Sequence, residues 1–352
     1  MRFLSLLAAS ALFFAAPALA EETLREQARA QFGAIPLVPP ALPYAEASPE
    51  RLTLGQKLFF DPRLSENQDM SCSTCHNIGM GGVDGRATGH GGQLGGRKVE
   101  TVLNAAFNAS QYWDGRASDL ADQVQRSVMV FPAATLRTQG GPIMVTPTQV
   151  AATKQHVVDR LKGIPGYVAA FKAAFPAEPE PVTYDNIAKS IAVFEATLIT
   201  PGAPFDRWLG GDDSAMTEDA RQGLALFIGK GCAGCHSGVN FGGAGYAKFG
   251  AVQSPGADLL PTDDAGRFTI THVVQDKFVF KIPGLRNVEL TAPYFHSDRV
   301  ADLRQAIAVM GETQLGQKLS TEEIVKIEAF LTALTGKQPE VVLPILPPRS
   351  AR

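Results

Sequence analysis

Two short clusters carry the chemistry of this sequence: Cys72-Ser73-Thr74-Cys75-His76 and Cys232-Ala233-Gly234-Cys235-His236. All 4 cysteines of the chain lie in them. Each cluster reads C-x-x-C-H, the signature of covalent c-type haem attachment. Two thiols three positions apart reach both vinyl groups of one porphyrin, and the adjacent histidine offers an imidazole to the iron. Two C-x-x-C pairs also suit a structural zinc, and a single pair suits a thiol redox centre. Neither explains why a histidine follows both pairs. The spacing therefore predicts two covalent haems, held by Cys72, Cys75, Cys232 and Cys235, with His76 and His236 as proximal ligands. It leaves no cysteine for a disulfide.

Each iron has a sixth position to fill. A methionine there suits electron transfer, whereas an exchangeable or absent ligand suits chemistry at the metal. Four histidines remain: His90, His156, His272 and His296. A spare histidine is more often a surface or hydrogen-bonded residue than a ligand. His90 stands apart because it lies in a glycine-rich loop, Gly79 to Gly96, shortly after the first cluster. Such a loop can move, so its histidine could bind iron in one state and leave in another. The loop holds no G-x-G-x-x-G match, which weighs against a nucleotide site.

These clusters need a scaffold, and the composition supplies an ordinary one. The chain has 352 residues, 45% hydrophobic and 19% charged, which predicts two globular domains and excludes a disordered, collagen-like or disulfide-dense chain. A net charge of −3 gives no general basic surface, so nucleic acid is a poor partner. Arg2, an apolar run from Phe3 to Phe14, and Ala18-Leu19-Ala20 before Glu21 read as a signal peptide over residues 1–20, cleaved after Ala20. The run is too short to span a bilayer, so the expected location is the periplasm.

The two halves echo one another. Gly-x-x-Leu-Phe precedes each cluster, at Gly55 to Phe59 and at Gly223 to Phe227. Downstream, Trp113-Asp-Gly-Arg-Ala-Ser-Asp-Leu resembles His296-Ser-Asp-Arg-Val-Ala-Asp-Leu. This predicts an internal duplication, with a haem domain over 21–200 and another over 201–352. The fold class expected is mainly α, two cytochrome-c-like domains with little β. Ser48-Pro49 should cap a helix through Phe59, and Ile187, Ile191, Phe194 and Leu198 should line one helical face. Ser320-Thr-Glu-Glu reads as a capping box, with Gly336 as the stop. A short hairpin is expected within Phe268 to Ile282, and the inter-domain link around Pro201 to Asp213.

Several longer stretches carry a family resemblance. Cys72-Ser-Thr-Cys-His-Asn-Ile-Gly-Met-Gly-Gly-Val-Asp-Gly, Thr101-Val-Leu-Asn-Ala-Ala-Phe, Tyr112-Trp-Asp-Gly-Arg-Ala, Leu285-Arg-Asn-Val-Glu-Leu-Thr-Ala-Pro-Tyr-Phe-His and Ala308-Val-Met-Gly look like bacterial dihaem cytochrome c peroxidases. The match covers most of the chain after residue 20, with an insertion around Val128 to Gln139. The resemblance implies a peroxidatic N-terminal haem with His76 proximal and His90 as a removable distal ligand. It implies a high-potential C-terminal haem ligated by His236 and Met310, where electrons enter from a small cytochrome c or a copper protein. Trp113 matches the tryptophan between the haems, and Gln123 a distal polar residue. Hydrogen peroxide is the implied substrate, and a homodimer the implied assembly.

The chain departs from the family in three places. After Gly141-Pro142-Ile143, the position of the catalytic glutamate carries Gln149, and an amide can hold peroxide but cannot accept and return its proton. Lys98 follows Arg97 where the family supplies a calcium ligand. An ammonium there would replace the cation, with the carbonyls of Thr291 and Pro293 as its partners, so calcium is expected to bind weakly or not at all. The His90 loop is two residues shorter than usual. Gln149 keeps two other readings open: a relative of the MauG maturation enzyme that oxidises a protein tryptophan, and a non-catalytic dihaem electron carrier. Met310 stands where MauG has tyrosine, which argues against a close match to that enzyme.

Overall fold

The structure, a computed structural model, describes residues 12–85, 97–127 and 147–349. Those residues form a mainly helical protein whose described strands make up one two-stranded sheet. A first helix, α1, runs unbroken over Leu12–Gln31, across the expected cleavage point. Among the described residues no helix is long and apolar enough to cross a membrane.

Local signals set most helices of the first half. Ser48 caps α2 (Pro49–Phe60) by accepting the Arg51 N–H at 3.2 Å. After α3 (Cys72–Cys75) and α4 (Leu120–Gln125) come α5 (Pro147–Lys162), α6 (Pro165–Ala174) and α7 (Tyr184–Ala196). Ile187, Ile191, Phe194 and Leu198 are buried along the α7 segment as the periodicity predicts. They join Leu54, Leu58 and Phe59 of α2 in one core. Gly55 lets these helices touch, because a Cβ there would stand 1.8 Å from the Ser190 carbonyl oxygen.

The second half repeats this crossing. It comprises α8 (Pro204–Leu209), α9 (Glu218–Gly229), β1 (Tyr246–Lys248), α10 (Phe268–Thr271), β2 (Val279–Lys281), α11 (Leu303–Leu315) and α12 (Thr321–Thr332). Gly223 of α9 meets α12, where a Cβ would stand 1.9 Å from the Lys326 carbonyl oxygen. The Ser320 capping box on α12 is formed in both directions.

The likeness continues in detail. Asn104 and Asn287 both adopt the left-handed conformation, with φ of 60° and 59°. Both side-chain amides donate to the hydroxyl of the buried Thr200, at 2.8 and 2.9 Å. Antiparallel bridges close Gln111 onto Ala117 and Tyr294 onto Val300. Asp119 and Asp302 then cap α4 and α11.

Three local expectations change. No hairpin forms within 268–282: that stretch holds α10, and β2 pairs antiparallel with the distant β1, Ala247 opposite Phe280. The Pro201–Asp213 stretch holds α8, whose Phe205 and Trp208 are fully buried in the second core, so apolar packing overrides its linker-like composition. Gly336 is not the stop of α12, which ends at Thr332; it is needed because a Cβ there would meet the Thr200 carbonyl oxygen at 1.9 Å.

Segments near both described ends pack on the opposite half. Ala28 and Phe32, in and just after α1, belong to the second core, and Arg25 lies 4.8 Å over the Trp208 ring. The extended segment after Gly336 returns to the first half, where Gln56 donates to the Val342 carbonyl and Arg63 to that of Pro347, both at 2.8 Å.

Candidate functional site: two haem-attachment turns and the junction between them

Both C-x-x-C-H clusters fold into a single helical turn. The His76 N–H donates to the Cys72 carbonyl at 2.9 Å, and the His236 N–H to the Cys232 carbonyl at 3.0 Å. Each turn thus carries two thiols and an imidazole together, and all four cysteines are free of disulfides. In the second turn the His236 Nδ1–H donates to the Phe241 carbonyl at 3.1 Å. That bond fixes the tautomer and leaves Nε2 free to bind a metal. Burial holds the imidazole of His236 below its usual pKa, so it stays neutral as a ligand must.

A largely apolar cavity opens beside this turn. Cys232, Cys235 and His236 line it, and so does Met310 of α11, joined by Phe227 and Leu331 from the α9–α12 pair. The attachment groups and a thioether in one apolar chamber fit a c-type haem with His and Met axial ligands. In the first turn burial likewise lowers the pKa of His76, and its Nδ1 is buried without a hydrogen-bond partner. An orphaned buried nitrogen beside two thiols fits a second haem. Burial raises the pKa of the Cys72 thiol, and the charge of Glu195 on α7 adds to that effect.

The same cavity extends from the second turn to the junction of the halves, where Trp113, Lys98 and His296 line it. The Trp113 indole N–H donates to the Lys98 carbonyl at 3.0 Å. His296 stands edge-on to it at 6.1 Å and stacks on Phe280 at 4.0 Å. Burial pushes His296 down to a pKa of about 4 despite nearby Asp264. Arg97 forks onto Asp264 at 2.7 and 2.8 Å and also reaches Asp114 at 2.8 Å, tying the two halves together beside the tryptophan. Lys98 Nζ donates to the carbonyls of Thr291 and Pro293.

The other expected residues are more scattered. Gln123 is half-buried on α4, and its carbonyl accepts the Tyr112 hydroxyl at 3.0 Å. Gln149 is exposed in the first turn of α5. His156 and His272 are exposed, as spare histidines usually are. His90 and the 128–139 insertion lie outside the described residues.

Sequence reasoning missed three groups that the fold brings to the site. Glu195 is buried, and desolvation lifts its carboxyl to a pKa of about 8. Its signal was an acid beside Phe194 near the end of a helix with an apolar face. Lys281 is buried against Glu100 at 2.7 Å, and Arg97 is clamped to Asp264; these partners are far apart in sequence, and no spacing announces them.

Comparison with known proteins agrees with this geometry. The family model described as di-haem cytochrome c peroxidase matches residues 49–214. The chain is 46% identical over 338 residues to the cytochrome c551 peroxidase of Pseudomonas aeruginosa, covering 96% of this chain and 93% of that one. It is 43% identical over 314 residues to the cytochrome c551 peroxidase of Nitrosomonas europaea, covering 88% of each. Among solved structures, a MauG-like protein associated with microbial copper homeostasis superposes with a TM-score of 0.69 at 26% identity, over 86% of this chain and 95% of that one. Two haem-attachment turns, a chamber shared by His236 and Met310, and identity over nearly the whole length lead to one conclusion: the chain belongs to the di-haem cytochrome c peroxidase family.

Proposed function

We propose that this protein reduces hydrogen peroxide to water, H2O2 + 2 e⁻ + 2 H⁺ → 2 H2O, with electrons from a small cytochrome c or a copper protein. The observation that carries the reading is the continuous lining from His236 and Met310 to Trp113 at the junction, in a chain with two C-x-x-C-H turns that each close a histidine N–H onto the first cysteine's carbonyl. Cys72, Cys75 and His76 hold one haem, and Cys232, Cys235 and His236 the other; when bound, these groups supply electron transfer and peroxide cleavage. His236 and Met310 suit the second site to a high potential, and His90 completes the first site when peroxide is absent. The Phe241 carbonyl keeps the His236 ring oriented. Trp113, held by the Lys98 carbonyl, is the connector between the sites. Gln123 and Gln149 position peroxide by hydrogen bonds, and a proton donor other than Gln149 completes the reaction.

The paired features of the halves support an internal duplication: Gly55 with Gly223, Asn104 with Asn287, Asp119 with Asp302. The apolar start of the chain supports export to the periplasm with cleavage after Ala20, and the family supports a homodimer.

The test is steady-state turnover. Half-reduced holoprotein is mixed with peroxide and reduced cytochrome c, and oxidation of the cytochrome is followed. Catalytic oxidation is expected. Peroxide consumption without donor oxidation, or no reaction in the half-reduced state, refutes the proposal.

A further inference from the structure

Ions that join loops through backbone carbonyls are hard cations, held by six or more oxygens with carboxylates to balance the charge. The junction between the halves offers such oxygens. The carbonyls of Thr291 and Pro293 converge there on one point. Asp298 is 7% exposed, and its Oδ1 is buried without a hydrogen-bond partner. Asp84 adds a second carboxylate whose charge acts on the same place.

A side chain occupies the centre of this cradle. Lys98 Nζ donates to both carbonyls and lies 5.5 Å from the centre of the Tyr294 ring. The residues therefore do not fit the calcium that the family resemblance implies. An ammonium has three donors and no lone pair, so it cannot ligate a metal, and its charge repels one.

We infer that the Lys98 ammonium is the resident cation of this junction and fastens the 291–298 loop to the first half without a metal ion. The backbone of Lys98 shows how firmly it is seated. Its N–H donates to the His296 carbonyl at 2.8 Å, and its own carbonyl accepts the Trp113 indole at 3.0 Å. Lys281 is its counterpart from the other half. Its N–H donates to the Trp113 carbonyl at 2.7 Å, but its ammonium is committed to Glu100 at 2.7 Å. Of these two lysines, only Lys98 fills a carbonyl cradle. The positive charge that gathers the Thr291 and Pro293 carbonyls is thus covalently part of the chain, on the same residue whose backbone carbonyl holds Trp113, and no chelator can remove it.

The test uses the purified dihaem protein and does not depend on turnover, so it succeeds or fails separately from the peroxidase reading. Elemental analysis after dialysis should find far less than one calcium per chain. The thermal midpoint should be the same in millimolar calcium and in EDTA. Lys98→Asn exchanges the ammonium for an amide oxygen, a hard-cation donor. Its midpoint should fall in EDTA and recover with calcium. Lys98→Met, which restores no donor, should fall and not recover. Stoichiometric calcium in the unaltered protein, or a midpoint that EDTA lowers, overturns the inference. So does a Lys98→Met protein as stable as the parent. If neither variant folds, the calcium and EDTA measurements on the unaltered protein still decide.

Discussion

Replacing Gly223 by alanine puts a methyl group where the backbones of α9 and α12 touch. The new Cβ would lie 1.9 Å from the Lys326 carbonyl oxygen and 2.9 Å from Phe330 Cβ, whereas ordinary contacts begin at 3.4 Å. The helices would have to part by about 1.5 Å to accept it. A gap of even 0.5–1 Å forfeits roughly a quarter to a half of a contact's dispersion energy. Overpacking of this kind costs about 1–3 kcal/mol, and more where backbone must move. Alanine's better helix propensity returns about 1 kcal/mol. Because the clash is with a backbone carbonyl, the cost sits at the upper end, about 3 kcal/mol, and the net expectation is a loss of about 2 kcal/mol, or roughly 4–8 °C in thermal midpoint for a domain of this size. Phe227, Ile327 and Leu331 on these two helices line the chamber of the second attachment turn, so its haem absorption should change as well. Gly229 provides the control at the end of the same helix, because a Cβ there meets nothing within 4 Å. Gly229→Ala should be neutral or stabilising by up to about 1 kcal/mol. Circular dichroism melts of both variants make the comparison. A Gly223→Ala midpoint at or above that of the parent would refute the crossing argument.

Other expectations follow from the same geometry. Met310→Ala removes the thioether from the chamber of His236 and should lower the reduction potential of the second site by on the order of 0.1 V, read by spectroelectrochemistry; an unchanged potential removes Met310 from the ligand set. His296 has a folded pKa of about 4 against 6.5 when free, so the unfolded chain binds more protons between these values and stability falls as pH drops through that window. The full effect is about 3 kcal/mol, and His296→Gln should flatten this acid limb in urea titrations; a limb as steep as the parent's would count against it. Gln149→Glu should raise peroxidase turnover if proton transfer limits the rate, whereas an equal or lower rate would show that position to be non-limiting.

The legible parts of the sequence were those written in neighbouring residues. Ser48 and Ser320 announce helix starts because a cap acts across three residues. Ile187, Ile191 and Phe194 announce a buried face because one helix carries them all. The hairpin expected near Phe268 failed for the opposite reason: β2 finds its partner some thirty residues upstream, and pairing at that range leaves no local pattern. Phe205 and Trp208 looked like part of a link because Pro and Gly flank them, yet their burial outweighs those neighbours.

Two covalent haem attachments could be read from neighbouring residues alone: two C-x-x-C-H clusters, each with a histidine adjacent to its thiols. The sequence also placed Lys98, an ammonium side chain and not an oxygen donor, where the resemblance implies a calcium ligand. What surrounds those groups came from packing. It brought Met310 to the chamber of His236, set Trp113 against the Lys98 carbonyl, and closed Arg97 onto Asp264. It also buried Glu195, raising its pKa toward 8. Covalent attachment is a property of residues a few positions apart. Desolvation, a shared chamber and long-range ion pairs depend on groups that meet only when distant segments pack.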